Sequence, residues 1–129
     1  MTDVHFGAIG IVVADMDRTL AFYRMLGLEF TGEVDGGHVE AVLPGGSRLM
    51  FDTEEIMRSF DPSFESPPAP GRISLAFECG SPGAVDETFA AVAAAGSQIH
   101  LEPFDAFWGQ RYATVIDPDG NHIDLYAAL

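Results

Sequence analysis

The chain has 129 residues and sets 20 Asp+Glu against 6 Lys+Arg, a formal net charge of −14. A surface this acidic repels phosphate backbones and anionic headgroups, so neither nucleic acid nor a membrane surface is expected as a partner. With 47% hydrophobic and 11% aromatic residues it carries enough apolar surface for a core, which excludes disorder.

Phe6 to Ala14 is an apolar, β-branched run that reads as a buried strand. Asp15 then offers an N-cap, Met16, Leu20 and Tyr23 form a helical stripe, and Gly27 stops it, predicting a helix over Met16 to Leu26. Strands are expected at Leu28 to Glu33, His38 to Leu43 and Ser47 to Thr53, the last two joined by Pro44-Gly45-Gly46. Glu54 to Pro70 holds Pro62, Pro67, Pro68 and Pro70 and reads as a connector, with one short helical turn at Glu54 to Phe60.

The pattern then restarts. Arg72 to Cys79 alternates as a strand, Ser81 and Pro82 open a helix with a Val85, Phe89, Val92 stripe, and Gly96 closes it. Gln98 to Leu101, Gln110 to Ile116 and His122 to Ala127 are three further strands, with a long loop around Pro103 to Trp108 and a turn at Asp117-Pro118-Asp119-Gly120-Asn121. A shift of 66 residues lays Ala8 on Ser74, and a shift of 74 lays Met50 on Asp124, so the chain is an internal repeat. The expected fold is α+β: one domain over 1–129, made of two βαβββ modules at about 4–53 and 71–129 joined by the connector 54–70. Two curved sheets, each backed by one helix, would leave a trough between them.

Cys79 is the only cysteine, so no intrachain disulfide forms. It falls on the helix-facing side of its strand and reads as a small hydrophobe. No basic stretch with a following apolar run opens the sequence and no run is long enough to span a bilayer, so a cytoplasmic location is expected.

Three motifs carry a resemblance over the whole chain: Asp15-Met-Asp-Arg-Thr-Leu-Ala-Phe22-Tyr23 with Leu26-Gly27-Leu28, the turn Asp117 to Asn121, and the closing strand Ile123-Asp124-Leu125-Tyr126. Together they resemble the vicinal oxygen chelate superfamily of glyoxalase I, extradiol dioxygenases and the fosfomycin- and bleomycin-resistance proteins. His38-Val-Glu-Ala and Trp108-Gly-Gln-Arg-Tyr112 resemble its antibiotic-binding branch, nearest to the mitomycin-binding resistance proteins.

The resemblance implies four metal-ligand positions, which fall here on Ala8, Met50, Ser74 and Asp124. A hard dication needs several oxygen or imidazole ligands. Alanine has none, a thioether is soft, and a serine hydroxyl is a poor neutral donor, so no metal and no cofactor are expected. A slip of register that made Asp52 a ligand, assisted by His5 or His38, is the one route to a metal site. No arrangement of Ser or Cys with His suggests a catalytic nucleophile.

Strand alternation sends His38, Glu40, Met50 and Asp52 into the trough from the first module, with Arg48 and Val42, and Tyr112, Thr114, His122 and Asp124 from the second. Phe6, Ala8, Ser74 and Ala76 fill the remainder. Such an amphipathic lining suits a flat, partly polar organic molecule. Trp108 is either a packing plug of its loop or a platform for the ligand; the motif match favours the platform. His38 is either an exposed hairpin residue or a ring that stacks on the ligand or donates to it. Glu40 and Asp52 are either a solvated face or polar contacts, as is Tyr112, and Asp124 is either a vestige of the metal position or an acceptor. His5 and His100 are expected at the surface, and Arg111 paired with Asp117 or a neighbouring carboxylate.

The resemblance therefore implies a metal-free binding protein that sequesters a small planar organic compound, an antibiotic or secondary metabolite, as a homodimer. The alternative is a metal-dependent lyase, isomerase or dioxygenase of the glyoxalase type. The inward carboxylates, with Arg48 and Arg72 as the nearest counter-charges, favour ligands bearing amino, amide or hydroxyl donors over carboxylates or phosphates.

Overall fold

The computed structural model describes residues 6–66 and 73–129, so the expectations placed on His5, Arg72, Pro67, Pro68 and Pro70 lie outside the described residues. Strand β1 (Ala8–Val13) leads into α1 (Met16–Met25), followed by β2 (Thr31–Glu33), β3 (His38–Val42) and β4 (Arg48–Thr53). After α2 (Glu54–Phe60) the second module repeats the order: β5 (Ser74–Glu78), α3 (Pro82–Ala94), β6 (Ile99–Ala106), β7 (Gln110–Ile116) and β8 (His122–Ala128). The result is an α+β fold of two four-stranded mixed sheets, ordered β1-β4-β3-β2 and β5-β8-β7-β6.

Each sheet has one parallel pair, β1 with β4 and β5 with β8, and antiparallel pairs elsewhere. The parallel registers are equivalent. Ala8 lies opposite Arg48 in one sheet and Ser74 opposite His122 in the other, the two shifts read from the sequence.

Local chemistry sets the helix ends. Asp15 accepts the Arg18 amide at 3.1 Å, and Ser81 accepts the Ala84 amide at 3.1 Å with Pro82 at the first helical position. Gly27 (φ 88°) and Gly96 (φ 92°) follow the two helix ends in the left-handed region that favours glycine.

The helical turn expected at Glu54 to Phe60 is the seven-residue α2: the Thr53 hydroxyl caps the Ile56 amide at 3.1 Å, and Glu54 and Glu55 sit in the first turn, where the helix dipole favours them. One element differs from expectation. The long loop around Pro103 to Trp108 is strand as far as Ala106. There β6 pairs with β7 through Phe104–Tyr112 and Ala106–Gln110, with register shifts between Ile99 and Leu101 and between Leu101 and Phe104. The bulges accommodate Pro103, which has no N–H for a regular ladder.

Alternate residues of the inner strands supply the core. Val39, Leu49 and Phe51 pack with Val13, Leu20 and Tyr23, and Ala113, Val115, Ile123 and Leu125 with Val85 and Val92, in one continuous cluster. Helices α1 and α3 touch, and Tyr23 reaches both modules, its ring 4.9 Å from Phe51 and 6.3 Å from Phe77. Cys79 packs against this core, and burial pushes its thiol up.

The Asp117–Asn121 turn ties the modules together. The buried Asp117 carboxylate accepts the amides of Asp119 and Asn121 and the Asn121 side chain, and it also accepts the Tyr23 hydroxyl at 2.7 Å. Asp119 accepts the Ala14 amide at 2.9 Å and the Thr19 hydroxyl at 3.3 Å. Among the described residues, these three bonds to Ala14, Thr19 and Tyr23 are the hydrogen bonds between modules. No helix among the described residues is long and apolar enough to cross a membrane.

Candidate functional site

The sheet faces turned away from the core carry the polar side chains. On β3 and β4 the register pairs His38 with Asp52, Glu40 with Met50 and Val42 with Arg48, while Val39, Ala41, Leu49 and Phe51 are buried behind them. The facing charges form a chain. His38 Nδ1 lies 2.5 Å from Asp52 Oδ1, its Nε2 lies 2.7 Å from Glu40 Oε2, and Arg48 Nη1 donates to Glu40 Oε1 at 2.8 Å. Both imidazole nitrogens meet carboxylates, so both must donate, which only the imidazolium does. The hydrogen bonds to Glu40 and Asp52 accordingly raise the His38 pKa. The His38 ring, followed by the Arg48 guanidinium, lowers that of Glu40.

On the second sheet Tyr112 and Thr114 of β7 stand beside Tyr126 and Asp124 of β8. A pocket of about 290 Å³ opens here, lined by Ser74, His100, Tyr112, Thr114, His122 and Asp124 among others. The Thr114 hydroxyl donates to Asp124 Oδ1 at 2.8 Å. Burial, then the adjacent Asp124 carboxylate, pushes the Tyr112 phenol up, so it stays protonated. His100 from β6 and His122 from β8 meet across β7, ring centroids 4.7 Å apart and planes 32° from parallel.

An aromatic arm extends from this pocket. Trp108, in the turn between β6 and β7, lies edge-to-face on Tyr112 at 5.3 Å and on Phe104 at 6.3 Å. Its indole Nε1 donates to Gln110 Oε1 at 2.8 Å, and the residue remains 50% exposed. The ring thus has both a packing role and a free surface.

The expected site residues therefore fall into two groups. His38, Glu40, Met50 and Asp52 share the first sheet, and Trp108, Tyr112 and Asp124 share the second; among the described residues no hydrogen bond or ring contact joins the groups. Phe6 precedes β1 and is exposed. The second group also includes His100, exposed as expected yet at the pocket's rim, and His122, which alternation places on this face. Alternation along β8 already sets His122 on the face of Asp124, whereas the bulges of β6 make the facing of His100 unreadable from the sequence. Arg111 pairs with Asp86 of α3 at 2.9 Å and Asp105 at 3.2 Å rather than with Asp117, whose lone pairs the turn and Tyr23 occupy.

A divalent metal fits poorly. Ala8, Met50, Ser74 and Asp124 offer one carboxylate, a thioether and a hydroxyl, divided between two sheets. The alternative set of His38 with Glu40 and Asp52 does not converge, because the carboxylates sit at opposite nitrogens of one ring. Among the described residues no group of three His, Cys, Asp or Glu side chains could hold a metal ion.

The family model of the Glyoxalase/Bleomycin resistance protein/Dioxygenase superfamily matches residues 5–125, and the chain belongs to that superfamily. Its fold is similar to that of a glyoxalase-related enzyme from Fulvimarina pelagi, with TM-score 0.81 and 18% identity over 95% of this chain and 87% of that one. A glyoxalase/bleomycin resistance protein/dioxygenase family enzyme from Burkholderia phytofirmans PsJN gives TM-score 0.77 and 20% identity over 95% and 98%. A lactoylglutathione lyase from Agrobacterium tumefaciens gives 0.68 and 20% over 98% and 95%. At these identities the likeness shows the fold alone. No curated protein matches the sequence.

Proposed function

We propose that the protein binds and sequesters a small planar organic compound, an antibiotic or secondary metabolite, without a metal. The observation that carries this reading is the edge-to-face run of Phe104, Trp108 and Tyr112 leading into the pocket beside Asp124. Exposed rings beside a polar cavity suit a flat ligand with a few hydrogen-bonding groups. The donor-poor set at Ala8, Met50, Ser74 and Asp124 supports the metal-free part. Sequestration requires only affinity and abundance, so a catalytic nucleophile is not needed.

The pocket, about 290 Å³, sits at the lower end of the roughly 300–1,000 Å³ usual for small-molecule sites. It suits one ring system with its substituents, and a larger ligand calls for another wall. A second copy would supply it in a homodimer, with His38, Glu40, Met50 and Asp52 contributing polar contacts near the interface. The exposure of Phe6, Val42, Ile73 and Phe107 supports such pairing.

Trp108 is the sole tryptophan, so its emission reports on the site directly. Planar antibiotics are expected to quench it saturably, and Trp108→Ala to weaken their binding at least about fivefold, the loss of roughly 1–3 kcal/mol that one stacked ring supplies. Absence of quenching across a panel, with affinity unchanged in Trp108→Ala, would overturn the reading. Light scattering at the mass of one chain would remove the dimer. The rival, a metal-dependent lyase or isomerase, draws on the likeness to the lactoylglutathione lyase. Stoichiometric Zn, Ni, Mn or Fe in protein purified without chelator would establish it instead.

A further inference from the structure

The two polar faces differ in how their charges are balanced. On the first sheet Glu40 and Asp52 each meet a positive partner: Asp52 faces the His38 ring, and Glu40 faces both His38 and Arg48. Glu33 of β2, opposite His38 in register, is a third carboxylate on that face. Arg48, the counter-charge the sequence offered, thus meets Glu40, and the His38 ring bridges Glu40 to Asp52.

On the second sheet Asp124 is met by hydroxyls instead. Thr114 donates to Oδ1 at 2.8 Å and the protonated Tyr112 stands alongside. Among the described residues no Arg forms an ion pair with it, and Arg111, the one described arginine of the second module, pairs with Asp86 and Asp105. Its neighbours are hydroxyl dipoles at the wall of a cavity, in a chain whose net charge of −14 draws cations toward it.

The neighbours of Asp124 are flat. Along the sheet face, residues two apart lie about 7 Å from one another. Asp124 is flanked on one side by Tyr112 with Trp108 and on the other by the His100–His122 stack. A ring resting on either aromatic surface brings a substituent to the carboxylate.

We propose that this pocket is an organic-cation site: it takes a planar ring bearing a protonated amine or amidinium, the ring lying against the His100–His122 pair and the cationic group against Asp124. This rests on the binding function proposed above and adds to it the charge class of the ligand and two residues, His100 and His122, that select it. Carboxylates and phosphates on the same ring are excluded by repulsion from Asp124.

Calorimetric titration of the full-length protein with proflavine, a planar diamino cation, and with acridine carboxylate, its anionic counterpart, reads the charge preference on the unaltered chain. Proflavine is expected to bind at least about tenfold more tightly, the margin of one charge-assisted contact. Asp124→Asn, which keeps an acceptor for Thr114, should erase most of that ratio, whereas His122→Ala should weaken the cation and unsubstituted acridine, neutral at pH 8, alike. Equal affinity for the two acridines, or an Asp124→Asn variant with the ratio intact, overturns the cation site while leaving sequestration standing. Failure of every planar compound to bind overturns both.

Discussion

His38 is only part-buried, yet its ring is fixed at both nitrogens, and this gives its titration a direction. Its folded pKa is raised, so its pairing contributes in full below the ordinary histidine value, roughly 6.5, and is lost as pH rises through the elevated one. Glu40, lowered, contributes above the ordinary glutamate value and loses its contribution as pH falls through the depressed one. The Asp52–His38–Glu40–Arg48 chain is therefore complete between those two titrations. NMR of the ring carbons should place the His38 midpoint above that of a model peptide, and Glu40→Gln with Asp52→Asn should bring it down. A midpoint at or below the model value would show that the ring does not donate at both nitrogens. That His38 and Asp52 face one another follows from strand alternation; that they meet as an ion pair depends on register, which the sequence left unstated.

At the level of elements, Gly37 shows how a turn and a helix depend on one another. It sits at φ 80°, and its carbonyl accepts the Thr53 amide at 2.9 Å. A Cβ there would stand 2.8 Å from the Thr53 hydroxyl that caps α2 and 3.2 Å from Ile56 Cβ. Gly37→Ala is expected to cost about 2 kcal/mol or more, combining the left-handed backbone with displacement of the cap. Gly45→Ala, at φ 89° with nothing within 4 Å of an added Cβ, should cost only the backbone part, about 1 kcal/mol. Urea denaturation of both variants checks the difference, and equal losses would sink the wedge. The faces of β3, β4 and β8 were legible because their buried residues alternate, whereas β7 buries Ala113, Thr114 and Val115 in a row. β6 was not, since its bulges break the two-residue period around Pro103. The bounds of α2 were legible as well, because Thr53 closes a strand and then caps the helix that follows it.

Across the whole molecule, one turn couples the two halves. Tyr23 reads in the sequence as one more residue of an apolar helical stripe, and nothing near it predicts that its hydroxyl reaches Asp117 in the other module. Burial pushes that phenol up strongly, followed by the Asp117 carboxylate, so it remains a donor. Tyr23→Phe keeps the ring and removes the bond, and should destabilise the protein by about 1–3 kcal/mol. Because the core is continuous through both modules, unfolding should stay a single transition. Two separated transitions in calorimetry would mean that the turn, rather than the shared core, holds the halves together.

The register shifts in β6 have a consequence for the protein in bulk. β6 lies at the outer edge of its sheet with Ile99, Leu101 and Phe104 exposed, a composition that would ordinarily invite another chain to add its own strand. Two bulges and a proline interrupt the row of free N–H groups and twist the edge, leaving no flat template for fibril growth. The longest edge strand of the described residues is thereby kept from seeding aggregation when the protein is concentrated.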